Sequence, residues 1–185
     1  MDIDVIDRQY LKILINLVYM LNCEELISLA EFPININDVV KLLNEGCDPN
    51  SRDRSGRTPL HYATIRCHYD LAKLLLEYGA DPNAKDSLGW TPLHSAVIAA
   101  GTSRRCINVA MLLLRHGADP NIQDERGQTP LHYAVTTGYT NIVELLLEYG
   151  ANPSIRDYNG KTPLDLAEEL GYYKAVKLLK KALDS

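Results

Sequence analysis

Residues 127–157 read GQTPLHYAVTTGYTNIVELLLEYGANPSIRD, and this stretch sets the measure for the whole chain. Thr129 and Pro130 open it as a helix start. A threonine hydroxyl can cap free N–H groups, and proline at the first helical position lacks an N–H that would be orphaned there anyway. Leu131 and Ala134 then mark one apolar face at helical spacing, and Val143, Leu146 and Leu147 mark a second. Gly150 ends the second helix in the left-handed conformation glycine tolerates best, and Pro153 prevents continuation. The unit is a helix, a short turn, a second helix and an extended loop.

The same unit recurs on both sides. Thr58, Thr91, Thr129 and Thr162 open the phrases TPLHYA, TPLHSA, TPLHYA and TPLDLA, at intervals of 33, 38 and 33 residues. Gly46, Gly79, Gly117 and Gly150 close apolar helices at the same three intervals. Leu60, Leu93, Leu131 and Leu164, with Ala63, Ala96, Ala134 and Ala167, supply the first-helix face. Val39/Leu42/Leu43, Ala72/Leu75/Leu76, Ala110/Leu113/Leu114 and Val143/Leu146/Leu147 supply the second. No helix pair can bury such a face alone, but a stack of them shares one continuous core.

A 33-residue period carrying T-P-L-H-x-A resembles the ankyrin repeat, over about residues 23–185. The resemblance implies an all-α, ankyrin-repeat solenoid of stacked helix-turn-helix units with β-hairpin loops. On this reading an N-terminal capping helix occupies 1–22 and a degenerate repeat 1 occupies 23–53. Repeat 2 is 54–86, repeat 3 with a five-residue insertion is 87–124, repeat 4 is 125–157, and a C-terminal capping repeat 5 is 158–185.

Departures from the pattern carry the individuality. In 1–22, Ile6, Tyr10, Leu14, Leu17 and Leu21 form a helical stripe that Leu11, Ile15, Val18 and Tyr19 widen, leaving a narrow polar strip of Arg8, Lys12 and Asn16. Such a helix suits a cap over the first repeat, or pairing with a second copy or a partner. Repeat 1 has Glu25-Leu26-Ile27-Ser28 where TPLH should stand. Repeat 3 holds five extra residues in AVIAAGTSRRCINVA, which predicts a lengthened turn around 101–106 that exposes Arg104 and Arg105. Repeat 5 has Asp165 for histidine and Lys180 where an inward leucine is expected, and both ends of the stack read as closed.

Composition narrows the function. Apolar residues are 46% and charged residues 23%, as in ordinary globular chains. A net charge of -5 argues against general nucleic-acid binding. The start MDIDVID lacks the basic region of a secretory signal, and the longest apolar-rich run, 11–21, is short of the ~20 residues a membrane span needs. The expected location is cytoplasmic. There Cys23, Cys47, Cys67 and Cys106, which contain no C-x-x-C pair, read as buried free thiols.

Signatures of catalysis are missing: no G-x-S-x-G, P-loop, H-E-x-x-H or dinucleotide fingerprint occurs. His61, His94 and His132 share one phase, about 10 Å apart in a helical stack and too far to share a metal. In the ankyrin family this histidine makes structural hydrogen bonds, and Asp53, Asp86, Asp124 and Asp157 match the family's hairpin aspartates. The expectation is therefore a non-enzyme with no cofactor and no metal.

The resemblance implies a protein-protein interaction module whose hairpin tips and inner-helix ends form a concave binding face. The positions it marks here are Arg54, Arg57, Arg66, Leu88, Trp90, Ile98, Arg126, Gln128, Tyr158 and Lys161. At the tips four positive residues stand against the one negative Glu125, so an acidic, partly apolar partner segment is expected. Leu88 and Trp90 would anchor its centre, unless Trp90 merely packs across to the next hairpin. The alternative is a self-associating structural or scaffolding protein, a homodimer through residues 1–22.

Overall fold

The structure, a computed structural model, describes residues 26–27, 35–101 and 103–184. The expected capping helix at 1–22 lies outside them. Among the described residues there are nine helices and no strand: α1 (Ile36–Asn44), α2 (Pro59–Ile65), α3 (Tyr69–Glu77), α4 (Pro92–Ala100), α5 (Arg104–Arg115), α6 (Pro130–Thr136), α7 (Thr140–Glu148), α8 (Pro163–Glu169) and α9 (Tyr173–Leu183). The inner helices α2, α4, α6 and α8 pack in series, and each is backed by the outer helix that follows it.

Every inner helix starts at the predicted proline, preceded by an extended threonine. Leu60, Leu93 and Leu131 are buried without remainder, as are Ala63, Ala96, Ala134 and Ala167. Each such leucine contributes about 2 kcal/mol by leaving water. The alanines, with no side chain beyond Cβ, let neighbouring inner helices approach.

Two expectations are corrected. First, the insertion does not lengthen a turn. α4 has nine residues where α2 and α6 have seven, and α5 has twelve where α3 and α7 have nine. All five inserted residues are taken up by helix, so the elbow of repeat 3 projects beyond its neighbours by roughly 3 to 4.5 Å, at 1.5 Å per residue. Arg104 and Arg105 are exposed on it, as expected.

Second, the described cysteines are not free thiols. Cys67 and Cys106 form a disulfide with their Cα atoms 4.7 Å apart, and Cys47 also stands in a disulfide. The stack itself brings Cys67 and Cys106 together, because their places in successive repeats face each other across a junction. The expected β-hairpin loops are not confirmed: among the described residues they are tight turns with no strand. Each tip reaches the next through one backbone hydrogen bond, as from the Ser87 N–H to the Ser55 carbonyl at 2.9 Å and from the Glu125 N–H to the Leu88 carbonyl at 3.0 Å.

Candidate protein-binding face

Each tip begins with an aspartate, and one of its carboxylate oxygens holds the turn. Asp124 Oδ1 accepts the N–H groups of Arg126 and Gln128, both at 2.8 Å. Asp53, Asp86 and Asp157 accept from the corresponding pairs in their own tips. Burial pulls the Asp124 carboxyl upward, but the Tyr133 hydroxyl and the two backbone N–H groups outweigh it and hold it below the usual range. A glycine completes the tip. Gly89 has φ +75°, and a Cβ there would sit 2.9 Å from the Glu125 nitrogen of the next tip, so both backbone sign and space exclude a side chain.

The second carboxylate oxygen of Asp86, Asp124 and Asp157 faces the preceding tip. Arg57 Nε reaches Asp86 Oδ2 at 3.4 Å, Trp90 Nε1 reaches Asp124 Oδ2 at 3.1 Å, and Gln128 Nε2 reaches Asp157 Oδ2 at 3.4 Å. Trp90 also meets the Tyr133 ring edge-on with centroids 5.5 Å apart. Lys161, in the same phase, pairs with Glu169 of its own repeat.

The histidines form a parallel ladder. His94 Nε2 lies 3.2 Å from the Gln128 carbonyl, and its Nδ1 accepts the Thr91 N–H at 3.1 Å. A carbonyl can only accept, so Nε2 carries the hydrogen and Nδ1 is bare. His61 and His132 are held alike. Burial depresses all three imidazoles, His94 to about 4. Among the described residues no three His, Cys, Asp or Glu side chains are grouped to hold a metal.

Of the residues marked by sequence, Arg54, Arg66, Leu88, Arg126 and Tyr158 are exposed, with Leu88 at 51% and Tyr158 at 74%. Ile98 is half-buried within α4. Arg57, Trp90, Gln128 and Lys161 are half-buried and engaged as described. Trp90 therefore packs across to the next hairpin. With Arg57 and Lys161 paired, the tip charges that make no ion pair with a described residue are Arg54 and Arg126 against Glu125.

A further ladder went unread. Asn50, Asn83 and Asn121 each donate to the carbonyl of the next helix-ending glycine, all at 3.0 Å, and each accepts the N–H two residues beyond it. The signal was present in the asparagine that recurs with the D-P-N phrase.

Helix pairs stacked in one direction, joined by ladders at fixed phase, define a helical repeat solenoid. A family model described as ankyrin repeats (3 copies) matches residues 26–124 and 98–184, and the chain belongs to the ankyrin repeat family. Comparison with individual curated proteins gives no match. As a family, ankyrin repeats are modules of protein–protein interaction and typically non-catalytic. Among the described residues no helix is long and apolar enough to cross a membrane.

Proposed function

We propose that this chain is a non-catalytic interaction module that binds another protein on its concave face of tips and inner-helix ends. The observation that supports this most is a sorting by phase at the tips. The aspartate holds its own turn at every tip, and at the first three the residue after the glycine bonds to the next tip, while the two residues between aspartate and glycine are exposed at every tip. Those free pairs are Arg54/Ser55, Ser87/Leu88, Glu125/Arg126 and Tyr158/Asn159. Exposed apolar and aromatic groups at such positions, with arginine beside them, are the types that dominate binding energy.

A partner segment that is partly apolar and carries carboxylates for Arg54 and Arg126 fits this row, with Leu88 and Tyr158 as anchors in place of Trp90. Affinity capture with the wild-type chain, Leu88→Ala/Arg126→Glu and the structural control Trp90→Phe tests the reading. A captured protein lost in the first variant and kept in the control is expected. Equal capture by all three would refute it.

A further inference from the structure

The concave face leaves the composition of repeat 3 unexplained. Residues 91–118 contain Arg104, Arg105 and Arg115 and no aspartate or glutamate, in a chain of net charge -5. Arg104 and Arg105 occupy the first two positions of α5, where the helix dipole disfavours positive charge. Neither makes an ion pair with a described residue.

Two hollows adjoin on the outer face between α3 and α5. One, of about 340 Å³, is lined by Arg105, Cys67, Asp70 and Tyr69 among others. The second, of about 260 Å³, is lined by Asn108, Met111, Arg115 and again Tyr69. A groove therefore runs along α5 with Arg105 at one end, Arg115 at the other, and Met111 with the exposed Tyr69 ring between them. From 105 to 115 the helix rises about 15 Å, the reach of about five extended residues. Among the described residues Asp70 is the one carboxylate lining either hollow, against two arginines. The Arg115 Nε lies 3.4 Å from the Tyr149 hydroxyl, which orients the guanidinium. The Cys67–Cys106 disulfide ties the turn before α3 to the first turn of α5, so the two walls are joined covalently at the Arg105 end.

We propose that this α3/α5 groove is a second docking surface, and that it takes a short acidic protein segment with an apolar residue at its centre. Carboxylates at the segment's two ends meet Arg105 and Arg115, while its central side chain lies on Met111 and Tyr69. The disulfide sets the spacing of the walls, so a dithiol reductant, which converts it to two thiols and is itself oxidised to a disulfide, loosens the site. The surface is separate from the concave face and does not depend on it.

The full chain without reductant is used to select binders from a random peptide display library. Enriched peptides are then titrated, as synthetic peptides, against wild type, R105E/R115E and L88A/R126E. Circular dichroism checks each variant's fold, and R105Q/R115Q replaces the charge reversal should it lose helicity. The expected result is a class of acidic peptides with an apolar centre, whose affinity falls about tenfold in R105E/R115E and several-fold with dithiothreitol, while staying within about twofold in L88A/R126E. Peptides without acidic character, or acidic peptides that bind R105E/R115E as well as wild type, overturn the proposal. Loss confined to L88A/R126E also overturns it and leaves the concave-face reading standing. A dimer mass by sedimentation that R105E/R115E abolishes assigns the groove to a second copy and overturns it equally.

Discussion

The junction between repeats 2 and 3 and the two junctions after it solve one packing problem with different chemistry. Over each elbow, the residue that starts an outer helix must cover the end of the previous inner turn. Tyr172 lays its ring over Gly138, where a Cβ would come within 3.3 Å of it, and Tyr139 lies over Gly101 in the same way. Cys106 stands in the phase of those tyrosines and Cys67 in the phase of Gly138 and Gly171. Cys67 is also the one non-glycine with positive φ among the described residues, at 56°. A covalent bond thus stands at this junction where the later ones have an aromatic contact. The comparison teaches that the repeat requires a filled contact at this place, and leaves its chemistry open.

Removing the covalent side should have the largest effect. Cys106→Ser opens a loop of 39 residues, and a stability loss of about 3 to 4 kcal/mol is expected in denaturant unfolding under oxidising conditions. Hydrogen exchange should place the loss in α2, α3 and α5. Uniform loss across the stack would show that the junctions are not independent. The double variant Cys67→Gly/Cys106→Tyr sharpens the point. It restores the glycine and ring of the other junctions and should regain about 1 kcal/mol or more over Cys106→Ser, since glycine adopts positive φ freely.

Acid should weaken all three junctions together, because each contains a buried histidine. The folded-state value of His94, about 4, lies below the ordinary 6.5, so the unfolded chain takes up the proton first. Stability is full above about pH 6.5 and falls as pH drops towards 4, by roughly 3 kcal/mol through His94 alone. Asp53, Asp124 and Asp157, also lowered, extend the loss below the ordinary carboxylate value of 3.8. Melting temperatures between pH 7 and 4.5 check this; a flat profile would contradict the neutral ladder.

Smaller effects belong to the aromatic side. Tyr139→Ala uncovers Gly101 and should cost about 1 to 2 kcal/mol, less than the loss of the disulfide. Trp90→Phe keeps the edge contact with Tyr133 but removes the N–H donated to Asp124, for about 1 kcal/mol. Both are read by denaturant unfolding.

The stack was legible because Thr, Pro, Leu, His and Gly each have a separate backbone reason to stand where they do, and those reasons repeat in register. The fate of the five inserted residues was not, since a longer turn and two longer helices use the same number of residues. Trp90 and Leu88 show the limit at the candidate site. Both are large apolar residues two positions apart at one tip, yet the residue after the glycine turns to the next repeat and the one before it turns to solvent. Residue type suggested a binding anchor for both, and only phase separates them. The Cys67–Cys106 pair, with no motif spacing, was hidden in the same way, although Cys67 sits where later repeats require glycine.

The bonds between tips run one way. Arg57, Trp90 and Gln128 donate a hydrogen bond to the carboxylate of the tip that follows, and among the described residues no tip carboxylate accepts a side chain from the tip after its own. Three unlike side chains serve, so the rule is for a donor and not for a residue. At the tips, each junction therefore asks for a donor from one side and an aspartate from the other, and the side chain that carries the donor is free to vary.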